Sequence, residues 1–483
     1  MPRPFRSPLP CSTFALLLLA CGSASGGATS QGTEGTAGST GPDLSPSVAC
    51  DAYLECATIV TPAGLGPLLD AYGPEGTCWQ STPAVAEQCE MACEAGLELL
   101  QMSFPDEAAC AEQADGGSGD GSGGTVTERA VDIIFVVDNS GTMGDEQAVL
   151  VQSIEGLLST LDAAVPPVDY RIAVTTTDDG NPWCQVSGPQ AGEFRATSCR
   201  SRESEFVFMG AQTIEAYEVA CAAGCSIDDL GLPEPWVDVV NSMGSSNVPG
   251  DQVAETLRCM LPQGINGCGF EQPLESTWKA VRRTQTNTDP AFAFRRPGSL
   301  LAVMVVTDEA DCSSNDDWDT IFEDTGNRVF WSDPESPAPS SAVCWNAGVA
   351  CQGGGGGSYD SCTATNFDVN ANQTTDADAA VLYPLDRYTS ILLEESAFIM
   401  AINGVNSDGS ITYADTLSDP QFQTDFGIGP GCSSTAGDAI PPVRVHQVIE
   451  AVSGPGNERS ICDEDYTDSM AAFGSGILSR LPG

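Results

Sequence analysis

The pattern of apolar and polar positions becomes regular at Val131. The run Val131-Asp132-Ile133-Ile134-Phe135-Val136-Val137 has the length of a strand, and it stops at Asp138, Ser140 and Thr142, three oxygen-bearing side chains at alternate positions. Apolar residues on successive positions predict a strand buried on both faces, as in a parallel sheet covered by helices. Ile154, Leu157, Leu158 and Leu161 then keep to one helical stripe. Tyr170–Thr176 predicts a second strand, 251–261 and 271–283 two helices, and Leu300–Val306 a buried strand ending in Thr307-Asp308-Glu309. A helix near 385–395, a strand from Ala397 to Ile402 and helices over 443–452 and 467–481 close the series. Strand and helix in alternation predict an α/β fold, doubly wound on a mostly parallel sheet, over residues 126–483. Such sheets bind ligands at the carboxyl ends of their strands, which is where the oxygen-bearing residues fall.

Long segments interrupt the alternation after Thr176, across most of 310–380, and after Ile402. They hold most of the twelve cysteines of this region: Cys184, Cys199, Cys221, Cys225, Cys259, Cys268, Cys312, Cys344, Cys351, Cys362, Cys432 and Cys462. Long irregular loops on a rigid sheet are usually functional or disordered, and cysteines in them predict disulfides that keep the loops ordered and exposed.

Ahead of this region the chain changes composition three times. Residues 114–125 are a Gly/Ser linker. Residues 49–113 carry six cysteines (Cys50, Cys56, Cys78, Cys89, Cys93, Cys110) and predict a small helical module in which disulfides compensate for a small core. Cys89 and Cys93 lie four apart in the helix-favouring run 84–100 and so share one face. Each is expected to staple a different neighbour, with Cys50 and Cys56 as natural partners. The module's expected role is a spacer or a second binding surface. Residues 22–48, rich in Gly, Ser, Thr and Ala, predict a flexible tether. Before it, Arg3 and Arg6 precede an apolar stretch from Phe14 to Ala20, too short to span a bilayer. Residues 1–21 thus have the layout of a secretory signal. Leu18-Leu19-Ala20-Cys21 resembles the bacterial lipobox, which implies lipidation at Cys21 and a protein anchored at the cell envelope, on the outer membrane or cell surface. Ordinary cleavage nearby and free secretion is the alternative.

Charge and cysteine count narrow the partners. The 67 acidic residues against 18 basic ones give a net charge of −49, and Lys279 is the only lysine. Such a surface repels nucleic acid and anionic lipid, so the membrane is met through the lipid anchor only. A hydrophobic content of 41% still supports globular cores. Of 20 cysteines, setting aside Cys11 in the signal and Cys21 leaves 18, an even number that predicts disulfides in an extracytoplasmic protein. Zinc is disfavoured, because there is no tandem Cys-x-x-Cys pair and His446 is the only histidine. Enzymatic motifs are missing too: there is no phosphate-binding Gly-x-x-x-x-Gly-Lys loop and no Gly-x-Ser-x-Gly turn. His446 falls on an amphipathic helix pattern, as packing or surface rather than a base, and the run Asp368, Asn370, Asn372 lacks the glycine and glutamate of a calcium loop.

Three hard oxygen donors on one turn suit Mg²⁺ or Ca²⁺. Helix capping by the same residues is the competing explanation, and Asp308 at a second strand tip weighs against it. Taken together, the pieces resemble the von Willebrand factor A domain and its metal-ion-dependent adhesion site, over roughly residues 128–482. The family's Asp-x-Ser-x-Ser appears as Asp138-Asn139-Ser140-Gly141-Thr142, and its strand ending in Thr-Asp-Gly appears as Val305-Val306-Thr307-Asp308-Glu309. The resemblance implies direct ligation by Ser140 and Thr142, and charge from Asp138 and Asp308, partly through water. It also implies one divalent cation (Mg²⁺, or Ca²⁺ or Mn²⁺), bound for capturing a ligand's carboxylate rather than for catalysis. The family's loop threonine is missing: counting back from Leu274 puts Cys268 in its place. A disulfide-bonded cysteine cannot ligate Mg²⁺; Cys259, nine residues earlier, is the expected partner, and Glu271 is the candidate for the missing oxygen, or else a residue interacting with a helix dipole. The expected function is cation-dependent binding of a protein or matrix ligand, the alternative a structural envelope protein with a vestigial metal site.

Overall fold

A computed structural model describes residues 48–60, 65–73, 76–79, five positions between 89 and 110, and 129–482 apart from 185–187 and 211–212. The signal, Cys21, the tether, the 114–125 linker and most of the run 84–100 lie outside the described residues. The chain divides into two compact units, residues 1–122 and 123–483.

In the first unit, helices α1 (Val48–Val60) and α2 (Leu65–Tyr72) accompany three disulfides, Cys50–Cys93, Cys56–Cys110 and Cys78–Cys89. Cys93 meets Cys50 as expected, but Cys89 turns to Cys78 rather than to Cys56. Six residues along α1 separate Cys50 from Cys56 by about 120° round the helix, so one face of a neighbouring element does not reach both. Trp79 packs on Cys50, Cys78 and Cys93, and its indole N–H donates to the Tyr72 carbonyl at 3.1 Å.

The second unit opens with β1 (Ala130–Val137), α3 (Gly144–Asp162) and β2 (Asp169–Thr176). The first insertion follows, with a hairpin of β3 (Val207–Met209) and β4 (Thr213–Glu215), and the chain returns through β5 (Val237–Val240) and β6 (Ser245–Ser246). Next come α4 (Val253–Met260), α5 (Pro273–Thr284) and β7 (Leu300–Val306). The second insertion contains α6 (Ala342–Gly348) and the hairpin of β8 (Val349–Gly353) and β9 (Tyr359–Ala364), before α7 (Asp386–Glu394) and β10 (Phe398–Asn403). After α8 (Pro420–Phe426) and the short pair β11 (Cys432–Ser433) and β12 (Asp438–Ala439), the fold closes with α9 (Val443–Ser453), β13 (Glu458–Ser460) and α10 (Thr467–Leu478).

Seven strands form one sheet in the order β13-β10-β7-β1-β2-β5-β6. The first five in that order are mutually parallel, while β5 and β6 add antiparallel at the β2 edge. The parallel core is the one the hydrophobic pattern predicts. The β5–β6 extension is not legible in it, because four residues of strand between Pro235 and Asn241 carry too little alternation to register. Along β1, Ile133 and Phe135 face one core with Leu157 of α3 and Phe473 of α10; Ile134 and Val136 face the other, with Val281, Ile391 and Ile449 of α5, α7 and α9. The strand is therefore buried on both sides, as its composition requires.

All twelve cysteines of this unit are paired, as Cys184–Cys268, Cys199–Cys221, Cys225–Cys259, Cys312–Cys344, Cys351–Cys362 and Cys432–Cys462. The expected Cys259–Cys268 bridge is replaced: Cys259 sits on α4 in the core of one sheet face, while Cys268 packs with Phe270 and Phe322 in a separate cluster beneath the second insertion. Proximity in sequence did not survive the division into two cores. No helix among the described residues is long and apolar enough to cross a membrane. Nine disulfides among the described residues mark a chain of an oxidising compartment.

Candidate functional site

The register of the central strands brings their carboxyl ends level. Val137 of β1 pairs with Thr176 of β2 on one side and Val306 of β7 on the other. The next residues continue the ladder, with Asp138 N–H donating to the Val306 carbonyl at 2.9 Å and Thr177 N–H to the Val137 carbonyl at 3.3 Å. Polar residues that follow each strand, Asp138, Thr177-Asp178 and Thr307-Asp308-Glu309, are thereby delivered to one place.

Hydrogen bonds then fix the arrangement. The Asp138 carboxylate accepts from Ser140 N–H at 2.7 Å on Oδ1 and from the Thr307 hydroxyl at 2.5 Å on Oδ2. Ser140 and Thr142 hydroxyls lie 3.3 Å apart, and Thr142 stands close enough to the Asp308 carboxyl to lower its proton affinity. Gln147, one turn into α3, donates to the carbonyls of Asp138 (2.8 Å) and Gly264 (2.7 Å) and accepts from Gln263 N–H (2.9 Å). It thus ties the β1 tip to the loop before α5. That loop also approaches directly: Gly267 N–H donates to the Asn139 carbonyl at 2.9 Å, and a Cβ on Gly267 would stand 2.4 Å from the Asn139 side chain. Further along it, Cys268 N–H donates to Asp178, and Glu271 accepts from the Thr177 hydroxyl. Asp138, Ser140 and Glu271 are buried, Asp308 nearly so, and Thr142 is exposed at the rim.

All five residues singled out in the sequence (Asp138, Ser140, Thr142, Glu271, Asp308) converge here. The structure adds Asp178 at the tip of β2, Glu309 beside Asp308, and Glu146 in the first turn of α3. The strand-tip rule that exposed Asp138 and Asp308 applies equally to Asp178, two residues past the end of the predicted strand. Glu146 carried no comparable signal, since it reads as an ordinary acidic residue at a helix start.

Burial of so many carboxyls together raises their affinity for protons. Burial pushes Asp138 up to about 6, against the hydrogen bonds from Thr307 and Ser140 that pull it down. Glu146 rises to about 7, again chiefly through burial, with Asp145 and Asp138 adding to it. Asp308 is driven well up by burial and then by Asp138 and Glu146; Glu309 by burial, Asp308 and Asp138; Glu271 by burial, Asp138 and Asp178. Several other buried carboxylates have basic partners. Asp132 lies 3.2 Å from Arg295 and 2.8 Å from Arg296, Glu275 2.7 Å from Arg387, Asp311 2.8 Å from Arg444, and Glu458 2.5 Å from His446. Among the described residues, no ion pair reaches Asp138, Glu146, Glu271, Asp308 or Glu309. Asp308 Oδ1, Glu271 Oε1 and Glu146 Oε2 are buried with no hydrogen-bond partner. The strand tips thus form a concentrated, uncompensated negative site.

A thiolate metal site is not available: Cys199, Cys221 and Cys225 are the only tight trio of potential ligands among the described residues, and each is in a disulfide. The carboxylates themselves do not close into such a compact trio, so a cation at the strand tips would draw on hydroxyl oxygens as well. Asp368 accepts from the Asn370 and Asn372 N–H groups, each at 2.9 Å, the geometry of an exposed turn.

No protein-family model matches the chain, and no curated protein sequence matches it. Among solved structures it is similar to the pilus adhesin SpaC from Lactobacillus rhamnosus GG in its open conformation, at 12% identity and a TM-score of 0.31, over 73% of this chain and 30% of that one. A second form of SpaC gives 12% identity and a TM-score of 0.30, over 73% of this chain and 31% of that one. The chain spans about three tenths of that adhesin's length.

Proposed function

We propose that residues 126–483 are a von Willebrand factor A-type domain whose strand-tip cluster holds one divalent cation, Mg²⁺ or in its place Ca²⁺ or Mn²⁺, and uses it to bind a protein or matrix ligand. The observation that carries this reading is the uncompensated carboxylate cluster between β1 and β7, in a chain whose other buried acids such as Asp132 and Asp311 are matched by arginines. An unpaired buried charge costs several kcal/mol, and a bound cation removes that cost. The residues present fit such an ion: Asp308 Oδ1 and Glu271 Oε1 are buried acceptors with no donor.

Ser140 and Thr142 would hold the ion through their hydroxyls, with Asp138 and Asp308 supplying charge, partly through water. Glu271 takes over from the loop threonine, because Cys268 is bonded to Cys184. When bound, the cation supplies an electrophilic position for a partner's carboxylate. The chain's own work is orientation: Thr307 and Ser140 N–H aim the Asp138 carboxylate, and Gln147 locks the tip to the loop. Exposed Thr142 leaves one side of the site accessible. Lipidation at Cys21 would hold the domain outside the cytoplasm. Binding rather than catalysis is the role.

The Cys184–Cys268 bridge and the Thr177–Glu271 hydrogen bond also favour a second reading, a structural envelope protein whose metal site is vestigial. Calorimetry of the purified chain with Mg²⁺ or Mn²⁺ decides between them. One-site binding that Asp138→Ala abolishes is expected; no heat from the wild-type chain would leave the vestigial reading standing.

A further inference from the structure

Glu146, whose charge acts on Asp308 at the strand tips, also borders a second space. It is 5% exposed, and its Oε2 lacks any hydrogen-bond partner. It lines a cavity of about 300 Å³ between α3 and the segment after β13. Asp145, Asp463 and Glu464 share that lining, and Val149, Val219 and Ile461 give it an apolar wall.

We infer that this cavity receives a lysine or arginine side chain presented by a partner. A buried carboxylate oxygen without a donor calls for a cation, and three more carboxylates around it strengthen the demand. The walls select the kind of cation. A small metal ion gains nothing from valine and isoleucine, whereas the alkyl stem of a basic side chain buries against them while its charged head reaches the carboxylates. The chain's one lysine, Lys279, is engaged by Asp179 at 2.6 Å. A net charge of −49 favours the approach of a basic partner. Glu146 is shared with the strand-tip cluster, so the test is run without metal to keep the two sites apart.

The full chain, kept in EDTA so that the strand-tip site is empty of metal, is titrated with N-acetyl-lysine methylamide and followed by saturation-transfer difference NMR. N-acetyl-norleucine methylamide, with a similar stem and no charge, is the control. Saturable binding of the lysine compound alone is expected, weakened about tenfold by Glu146→Gln, as for a lost charge-assisted hydrogen bond. Glu464→Gln, at an exposed rim position, should weaken it about threefold and keeps the test open if Glu146→Gln misfolds. Equal binding of norleucine, or no effect of either substitution, overturns the inference. Displacement of the lysine compound by MgCl₂ once EDTA is omitted overturns it in favour of a metal site.

Discussion

Asp132 and Asp138 stand six positions apart on one stretch of chain, and neither has any exposed surface. Asp132 is held by Arg295, Arg296 and the Ser299 hydroxyl; Asp138 has hydroxyl and amide donors but no basic side chain. The same residue type thus stabilises the fold at one end of β1 and loads it with charge at the other. Opposite outcomes follow for substitution. Asp132→Ala strands two arginines and should cost about 3 kcal/mol of stability, discounted from the fully buried case because both arginines are partly exposed, while cation binding by the folded protein persists. Asp308→Asn relieves repulsion, so in EDTA its melting temperature should equal or exceed that of the wild type, and added Mg²⁺ should no longer raise it. Thermal melts of both variants with and without Mg²⁺ check the pair; a destabilised Asp308→Asn in EDTA would contradict the account.

Among the elements, the two apolar strands β1 and β7 were legible because burial on both faces leaves unbroken apolar runs, and the polar residues ending them were legible as interruptions. The loop before α5 was legible only in part. Its cysteine announced a disulfide, but the partner, Cys184, lies 84 residues away in the first insertion, and no local pattern encodes such a distance. That bridge braces the loop whose Cys268 N–H reaches Asp178 and whose Glu271 joins the site. Replacing both cysteines by serine should therefore weaken Mg²⁺ affinity about tenfold, as loss of outer support does at metal sites, besides costing about 2–5 kcal/mol of stability. Calorimetry on the double variant at a temperature where it remains folded reads the affinity; unchanged affinity would make the bridge purely structural.

For the molecule as a whole, the raised carboxyls make stability depend on pH. Their native values lie above the unfolded value of about 4, so between the two the native state holds protons that the unfolded chain has released. Without cation, the stability they contribute is full below pH about 4 and is lost as pH rises through about 6 for Asp138 and about 7 for Glu146. A bound cation requires the deprotonated forms and stabilises only the native state. The gain in melting temperature from Mg²⁺ over EDTA should accordingly grow from pH 5 to pH 7.5, measurable by differential scanning calorimetry at fixed ionic strength. A gain that shrank across that range would sink the assignment.

By itself the sequence determined the parallel α/β core, the residues at two of its strand tips, and the oxidising setting, since each depends on burial, local polarity or composition that neighbouring positions record. Tertiary structure alone decided which cysteines meet, that Asp178 and Glu146 join the strand-tip residues, and that the arginines lie elsewhere. Those facts depend on strand register and on the distribution of scarce basic residues across two cores. Charge balance at a buried site is a property of distances in space, and positions more than a hundred residues apart set it together.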